Sequence, residues 1–146
     1  MEQEGIPESL RVARAWVAAF NAHDVAAIVA LYAPAAKLND SGMKRERHGQ
    51  REIEQWFTVR FSKIRGIAYA PDSELVDNEK VAITWTVSGY TPSLLGQSWL
   101  ARPFSVDGIS FFTIHHSQII SQRGYYDHLA AVERAMPFLR LLPSRM

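Results

Sequence analysis

Apolar residues in the first part of the chain recur at the spacing of helices. One stripe begins after Pro7 and stops at the polar run 21–24, which predicts a helix over that span. Its members are Leu10, Ala13, Trp16, Val17 and Phe20. A short second helix is predicted between Asp24, a favourable N-cap, and Pro34, with one apolar face that consists of Val25, Ile28, Val29 and Tyr32. A third helix is predicted over residues 50–64, with a strong apolar face that consists of Ile53, Trp56, Phe57, Phe61 and Ile64.

The second half of the chain changes to a period of two, which is typical of strands. We predict one short strand and four long ones, over residues 36–40, 67–76, 80–90, 102–115 and 119–127. Pro71 indicates an edge strand or a bulge, and Asp107-Gly108 indicates a second bulge. Residues 41–48 are interpreted as a polar loop and residues 91–100 as a loop or a short helix. A final helix is predicted from about His128 to Met136.

Helices that come first and strands that follow them predict an α+β fold with an antiparallel sheet. The length of 146 residues is the usual size of one domain. We therefore expect a single domain over residues 1–146, with its core at about residues 8–137.

The composition excludes several classes of function. The chain has no cysteine, so it has no disulfide framework, no thiolate metal site and no cysteine nucleophile. Lys and Arg number 16 and Asp and Glu 15, and the densest basic stretch, at residues 44–48, is interpreted as a solvated loop instead of a nucleic-acid site. No apolar run approaches the roughly 18 residues of a membrane span, and the polar N-terminus is no secretory signal. We expect a cytoplasmic protein that binds neither nucleic acid nor membrane.

Several segments carry a resemblance to a known superfamily. Residues 14–24 (RAWVAAFNAHD), followed by IVALY at 28–32, are similar to the opening of nuclear transport factor 2-like proteins, especially ketosteroid isomerases and SnoaL-type polyketide cyclases. Residues 49–57 (GQREIEQWF) resemble the third helix of that family, and residues 119–127 (IISQRGYYD) its last strand. The resemblance implies a cone-shaped, cystatin-like barrel, in which a curved antiparallel sheet wraps the N-terminal helices and leaves an apolar cavity open at one end. It also implies a homodimer that pairs through the outer face of the sheet.

Asp40 is the leading candidate for chemistry. By alternation it shares a face with Ala36 and Leu38, which we expect to point into the cone. The resemblance to the isomerases implies that this carboxylate is a general base that moves a proton beside a ketone. The alternative is that Asp40 caps the turn that it forms with Ser41 and Gly42.

The other chemical positions of the family are changed or ambiguous. The resemblance matches Trp16 to a tyrosine that donates to the oxyanion, and Ser110 to a protonated aspartate with the same task, so we do not expect the full isomerase mechanism. Asp127 resembles the general acid and base of SnoaL-type cyclases, which close a ring by an aldol reaction. The alternative is that Asp127 N-caps the final helix.

Aromatic residues make up 11% of this chain, and so many rings with few polar groups between them predict the walls of an apolar pocket. The candidates, each of which could also be ordinary core, are Trp16, Phe20, Tyr32, Trp56, Trp85, Phe104, Phe112 and Tyr126. His115 and His116 are adjacent in a predicted strand, so they would face opposite sides and could not bind one metal together. One of the two is a lesser candidate for catalysis, and neither a metal site nor a cofactor is predicted.

These observations lead to one hypothesis and two alternatives. We expect a small hydrophobic ligand in an apolar barrel, with cofactor-independent proton transfer by Asp40, as in an isomerisation or an aldol-type cyclisation. The alternatives are a non-catalytic binding protein for a hydrophobic metabolite and a dimeric interaction domain.

Overall fold

The computed structural model describes residues 5–90 and 102–127. Its helices are α1 (Glu8–Asn21), α2 (Val25–Ala30) and α3 (Gly49–Lys63). Its strands are β1 (Tyr32–Asp40), β2 (Arg47–His48), β3 (Ala68–Asp77), β4 (Lys80–Tyr90), β5 (Pro103–His115) and β6 (Gln118–Tyr126). The α+β class is confirmed. The expected loop at 91–100 and the expected final helix from His128 lie outside the described residues.

The six strands form one mixed sheet in the order β2-β1-β6-β5-β4-β3. The strands from β3 to β6 are antiparallel neighbours, as predicted. β1 pairs with β6 in parallel, which the sequence did not predict. Most of the chain separates these two strands, so no hairpin turn fixes their relative direction.

The start of β1 differs from the prediction. Tyr32 belongs to β1 and not to the second helix, which ends at Ala30. Pro34 lies within β1. The pairing of β1 with β6 is irregular between Tyr32 and Lys37, and a residue without an N–H is tolerated there. The N-cap of α2 is as predicted, since the Asp24 side chain accepts a hydrogen bond from the Ala27 N–H at 3.0 Å.

The two predicted bulges have opposite outcomes. β3 is an edge strand, and its register shifts between Pro71 and Ser73, as expected from the proline. The bulge predicted at Asp107-Gly108 is wrong, because the register of β4 and β5 runs without interruption through the pair of Trp85 with Gly108. The glycine has a different reason: a Cβ at position 108 would lie only 2.4 Å from the Trp85 ring.

The core lies between α1, α3 and the inner face of the sheet. Trp16 is at its centre, with ring-centroid distances of 5.2 Å to Phe20, 5.3 Å to Tyr69 and 5.4 Å to Phe112. Such tilted and edge-to-face pairs each add about 1 kcal/mol beyond the burial of their surface. This aromatic cluster ties α1 to β3 and β5, and its members Trp16, Phe20 and Tyr69 also line the cavity described next. No helix in residues 5–90 or 102–127 is long and apolar enough to cross a membrane.

Candidate functional site

A partly enclosed cavity of about 50 Å³ lies between the inner face of the sheet and helices α1 and α3. Its apolar walls are Trp16, Phe20, Leu38, Trp56, Phe57, Tyr69, Trp85 and Val87. Its other lining residues are Asn39, Asp40, Arg60, Ser110, Gln122, Gly124 and Tyr126. This volume holds a few water molecules, whereas an apolar cavity known to bind benzene measures about 150 Å³. A larger molecule therefore enters only if side chains around the cavity move.

Asp40 ends β1 and lines the cavity, and it also forms the turn that was the alternative. Its Oδ1 accepts a hydrogen bond from the Gly42 N–H at 2.7 Å. Its Oδ2 lies 4.0 Å from Nη1 of Arg60, and only 16% of its side chain is exposed. One carboxylate oxygen thus holds the turn, while the other faces a cation across the cavity.

Arg60 is a lining residue that the sequence analysis missed. It lies one helical turn after Trp56 on α3, and its guanidinium carbon is 5.6 Å from the centroid of the Trp56 ring. Burial raises the pKa of the neighbouring Tyr126 hydroxyl, the Asp40 carboxylate raises it further, and Arg60 opposes the rise. Asp40, Arg60 and Tyr126 therefore act on one another electrostatically.

Trp16 does not offer its indole N–H to the cavity. It donates to the Tyr32 hydroxyl at 2.9 Å, and that hydroxyl donates to the side-chain oxygen of Gln122. Tyr32 is completely buried, and burial raises the pKa of its hydroxyl strongly. This chain of hydrogen bonds ends on an acceptor, so each of its protons has a partner.

A second set of hydroxyl groups lies on strands β3 and β5. The Trp85 indole N–H donates to Ser110 Oγ at 2.9 Å. Tyr69, which the sequence analysis also missed, lines the cavity and is only 4% exposed, yet its hydroxyl makes no hydrogen bond within the described residues. Burial raises the pKa of this hydroxyl, and the nearby Ser110 hydroxyl opposes the rise without a well-formed hydrogen bond. The alternation of β3 could have identified Tyr69 as inward-facing, but nothing in the sequence marks its hydroxyl as unpaired.

Gly124 of β6 separates Asp40 from the hydroxyl groups. It pairs with Asp40 on one side and with Ser110 on the other. A Cβ at position 124 would lie 3.2 Å from the Asp40 Cβ and 3.8 Å from Ser110 Oγ. The missing side chain therefore leaves open the space between the carboxylate and Ser110.

The predicted pocket residues fall into two groups. Trp16, Phe20, Trp56, Trp85, Ser110 and Tyr126 line the cavity. Tyr32, Phe104 and Phe112 do not: Tyr32 and Phe112 are buried in the core, and Phe104 packs against that core. Trp16 lines the cavity and contacts both Phe112 and Tyr32, so these two side chains lie behind its ring.

Asp127 and the two histidines do not line the cavity. Asp127 is exposed and follows β6 directly, and the helix that it was expected to cap lies outside the described residues. His115 ends β5 and contacts Glu79, whereas His116 lies in the following turn with a φ of 48°. The expectation that the histidines face opposite sides of one strand is wrong, because their rings are 3.8 Å apart. Within residues 5–90 and 102–127, no group of three or more metal-ligating side chains could hold a metal ion.

Solved structures with the same fold come from several bacteria. A proposed SnoaL-like polyketide cyclase from Shewanella denitrificans has a TM-score of 0.80 at 12% identity, over 90% of this chain and 99% of its own. A hypothetical protein of ketosteroid isomerase-like fold from Catenulispora acidiphila, in complex with trimethylamine, has a TM-score of 0.75 at 18% identity, over 85% and 91%. TerC, co-crystallised with polyporic acid, has a TM-score of 0.72 at 16% identity, over 88% and 98%.

At these identities the structural likeness shows the fold and not the reaction. No curated protein matches the chain. The family model described as the SnoaL-like domain matches residues 13–122, which is more than half of the sequence. This chain therefore belongs to the SnoaL-like domain family.

Proposed function

We propose that this protein binds a small hydrophobic carbonyl compound in the cavity and that Asp40 transfers a proton at a carbon beside the carbonyl group. One observation carries the proposal: among the described residues, Asp40 is the one carboxylate on the wall of a cavity that is otherwise bounded largely by aromatic and aliphatic side chains. Such walls orient a ring-shaped molecule and exclude water from the carboxylate. Isomerisation and aldol-type cyclisation both begin with this proton transfer, and neither requires a cofactor for it.

The positions of the polar groups fit this reaction. The Oδ2 atom of Asp40 faces the cation of Arg60 and is the oxygen that does not hold the turn. We propose that this oxygen accepts the proton from the ligand and returns it later in the cycle. Trp56, Arg60 and Tyr126 are each partly exposed, and we propose that they rotate to admit a molecule larger than the cavity of about 50 Å³.

Asp127 remains a proposed second acid. Its neighbour Tyr126 lines the cavity, and the backbone of Tyr126 exchanges hydrogen bonds with the Ser41 hydroxyl, next to Asp40. Loss of activity in Asp127→Asn at unchanged ligand affinity would support this role, whereas loss of thermal stability alone would support the cap.

Known ligands of similar structures support the choice of a small molecule. The similar protein from Catenulispora acidiphila holds trimethylamine, and TerC was crystallised with polyporic acid. We infer that the cavity of this chain likewise receives a small organic molecule.

A non-catalytic binding protein is the second candidate, and one observation favours it. Both oxygens of Asp40 already have neighbours, Gly42 and Arg60, and the Trp16 N–H is used by Tyr32. In that case the cavity would hold its ligand without proton transfer.

Hydrogen–deuterium exchange at the carbon beside the carbonyl of acetophenone, followed by NMR in D2O, separates the two candidates. We expect the protein to catalyse exchange and Asp40→Asn to abolish it. Asp77→Asn, the same change at an exposed carboxylate at the end of β3, is the matched control and retains exchange. Exchange that persists in Asp40→Asn removes Asp40 from catalysis. Binding without exchange in the unaltered protein favours the binding function.

We also propose a homodimer that forms through the outer face of the sheet. Leu75, Phe111 and Tyr125 point outwards from three strands of that face, and their exposed fractions are 71%, 46% and 45%. A dimer would cover this apolar surface. Light scattering coupled to size exclusion should give a dimer for the unaltered protein and a monomer for Phe111→Glu. A monomeric unaltered protein would contradict the proposal.

A further inference from the structure

The two networks that begin at buried tryptophans end differently. The one that starts at Trp16 passes through Tyr32 and ends on the Gln122 oxygen, which only accepts. The one that starts at Trp85 reaches Ser110, whose oxygen is thereby used as an acceptor and whose proton is left to donate. Ser110 interacts with the Tyr69 hydroxyl without a well-formed hydrogen bond, so within the described residues this network has no firm acceptor at its end.

The Tyr69 hydroxyl lies beside that open end. It is the one buried side-chain polar atom within residues 5–90 and 102–127 that has no hydrogen-bond partner. Tyr69 is only 4% exposed and forms part of the cavity wall. Buried hydroxyl groups are nearly always paired, so an unpaired one in a cavity wall indicates a partner that is absent from the protein itself.

We infer that Tyr69, assisted by Ser110, is the hydrogen-bond donor for the acceptor oxygen of the ligand. This inference rests on the proposed function. It adds that the Tyr69 and Ser110 hydroxyl groups recognise the oxygen of the ligand. The space that Gly124 leaves open extends from Asp40 to Ser110. A flat molecule in this space would place its oxygen at the two hydroxyl groups and an adjacent carbon towards the Asp40 carboxylate.

The inference also identifies a class of ligand. Tyr69 and Ser110 are neutral donors, and among the described lining residues the one cation, Arg60, lies beside Asp40. This arrangement suits the oxygen of a ketone or an enolised ketone better than a carboxylate or a phosphate. The donor role, which the family resemblance assigns to the position of Trp16, falls here to a tyrosine on β3, because the Trp16 N–H is already bonded to Tyr32.

A pair of matched probes tests the role of Tyr69 in binding. Acetophenone and α-methylstyrene have the same flat shape, and only acetophenone carries an acceptor oxygen. We expect the unaltered protein to prefer acetophenone, and Tyr69→Phe to lose about tenfold of that preference, which is the worth of one net hydrogen bond. Tyr125→Phe, at an exposed tyrosine of the outer face, is the control and keeps the preference.

The carbonyl carbon of the bound probe gives a second reading that a purely structural role would not change. Hydrogen-bond donors shift the ¹³C resonance of labelled acetophenone downfield, and Tyr69→Phe should reverse most of that shift. An equal affinity for both probes in the unaltered protein, or a preference and a shift that survive in Tyr69→Phe, would mean that the hydroxyl meets only water, and would overturn the inference. These readings are independent of the proton exchange that tests Asp40, so the two proposals can fail separately.

Discussion

The indole N–H of Trp85 donates to Ser110 Oγ at 2.9 Å across the neighbouring strands β4 and β5. An indole N–H can only donate, so the Ser110 hydroxyl must accept in this contact. Its own proton is therefore left for another partner. It also holds the Trp85 ring across Gly108, where a side chain would not fit. One contact therefore shapes both the wall of the cavity and the donor groups within it.

The same substitution at two buried tyrosines should have different effects on stability. Tyr32→Phe leaves the Trp16 N–H and the Gln122 oxygen without partners and should cost about 3 kcal/mol of unfolding free energy. Tyr69→Phe removes a hydroxyl that has no partner and should change stability by less than about 0.5 kcal/mol. Urea denaturation of both variants measures the difference. A cost at Tyr69 equal to that at Tyr32 would show that its hydroxyl is bonded within the protein.

Gly124→Ala should reduce ligand binding without unfolding the protein. The added methyl group would lie 3.2 Å from the Asp40 Cβ and 3.8 Å from Ser110 Oγ, in the space that the ligand is proposed to occupy. We expect at least about tenfold weaker binding of acetophenone by titration calorimetry, because overpacking of this size costs about 1–3 kcal/mol. Gly5→Ala, which lies before α1 and outside the cavity, is the control. Unchanged affinity in Gly124→Ala would place the ligand elsewhere.

Gly108→Ala should instead damage the fold. Its Cβ would lie 2.4 Å from the Trp85 ring and 2.5 Å from the backbone oxygen of Tyr125, and the backbone cannot rotate away. We expect a loss of about 3 kcal/mol or more and a changed tryptophan fluorescence spectrum, since Trp85 must leave its place over the glycine. A variant with the stability and spectrum of the unaltered protein would show that the ring is not held as described.

Stability should fall at alkaline pH partly because of Tyr69. Burial raises the pKa of its hydroxyl above the ordinary value of 10.0, so the folded state keeps a proton that the unfolded state releases. As pH rises above 10, ionisation favours the unfolded chain, and this one group contributes a slope of up to about 1.4 kcal/mol per pH unit. Between pH 9 and about 11.5, the unfolding free energy should fall less steeply with pH in Tyr69→Phe than in Tyr125→Phe. Equal slopes in the two variants would contradict the raised pKa.

Much of the fold follows from short-range patterns in the sequence. The alternation in β4 predicted its bounds, 80–90, and Asp24 marked the start of α2 correctly. The errors arose where distant residues decide the structure. Tyr32 follows a helical pattern but pairs with Ile119 of β6, and the parallel direction of β1 depends on that same pairing.

The sequence predicts which side chains of the site point inwards, because that direction follows from the local alternation of each strand. Alternation correctly turned Trp85 inwards, whereas Ser110, which is also buried, was placed only by the family resemblance. It could not show that Tyr32 and Tyr69, both buried, differ in whether their hydroxyl groups have partners, because those partners come from other strands and from α1. Arg60 was missed for a similar reason: on α3 it resembles any solvated arginine, and only the fold brings it to Asp40.

Intermolecular NOEs from bound acetophenone test most directly whether a small carbonyl compound occupies the space between Asp40 and Ser110. We expect contacts from the probe to the Gly124 α-protons and to the rings of Tyr69 and Trp85, with the methyl group of the probe on the side of Asp40. NOEs to Phe111 and Tyr125 on the outer face, with none to Gly124, would contradict it.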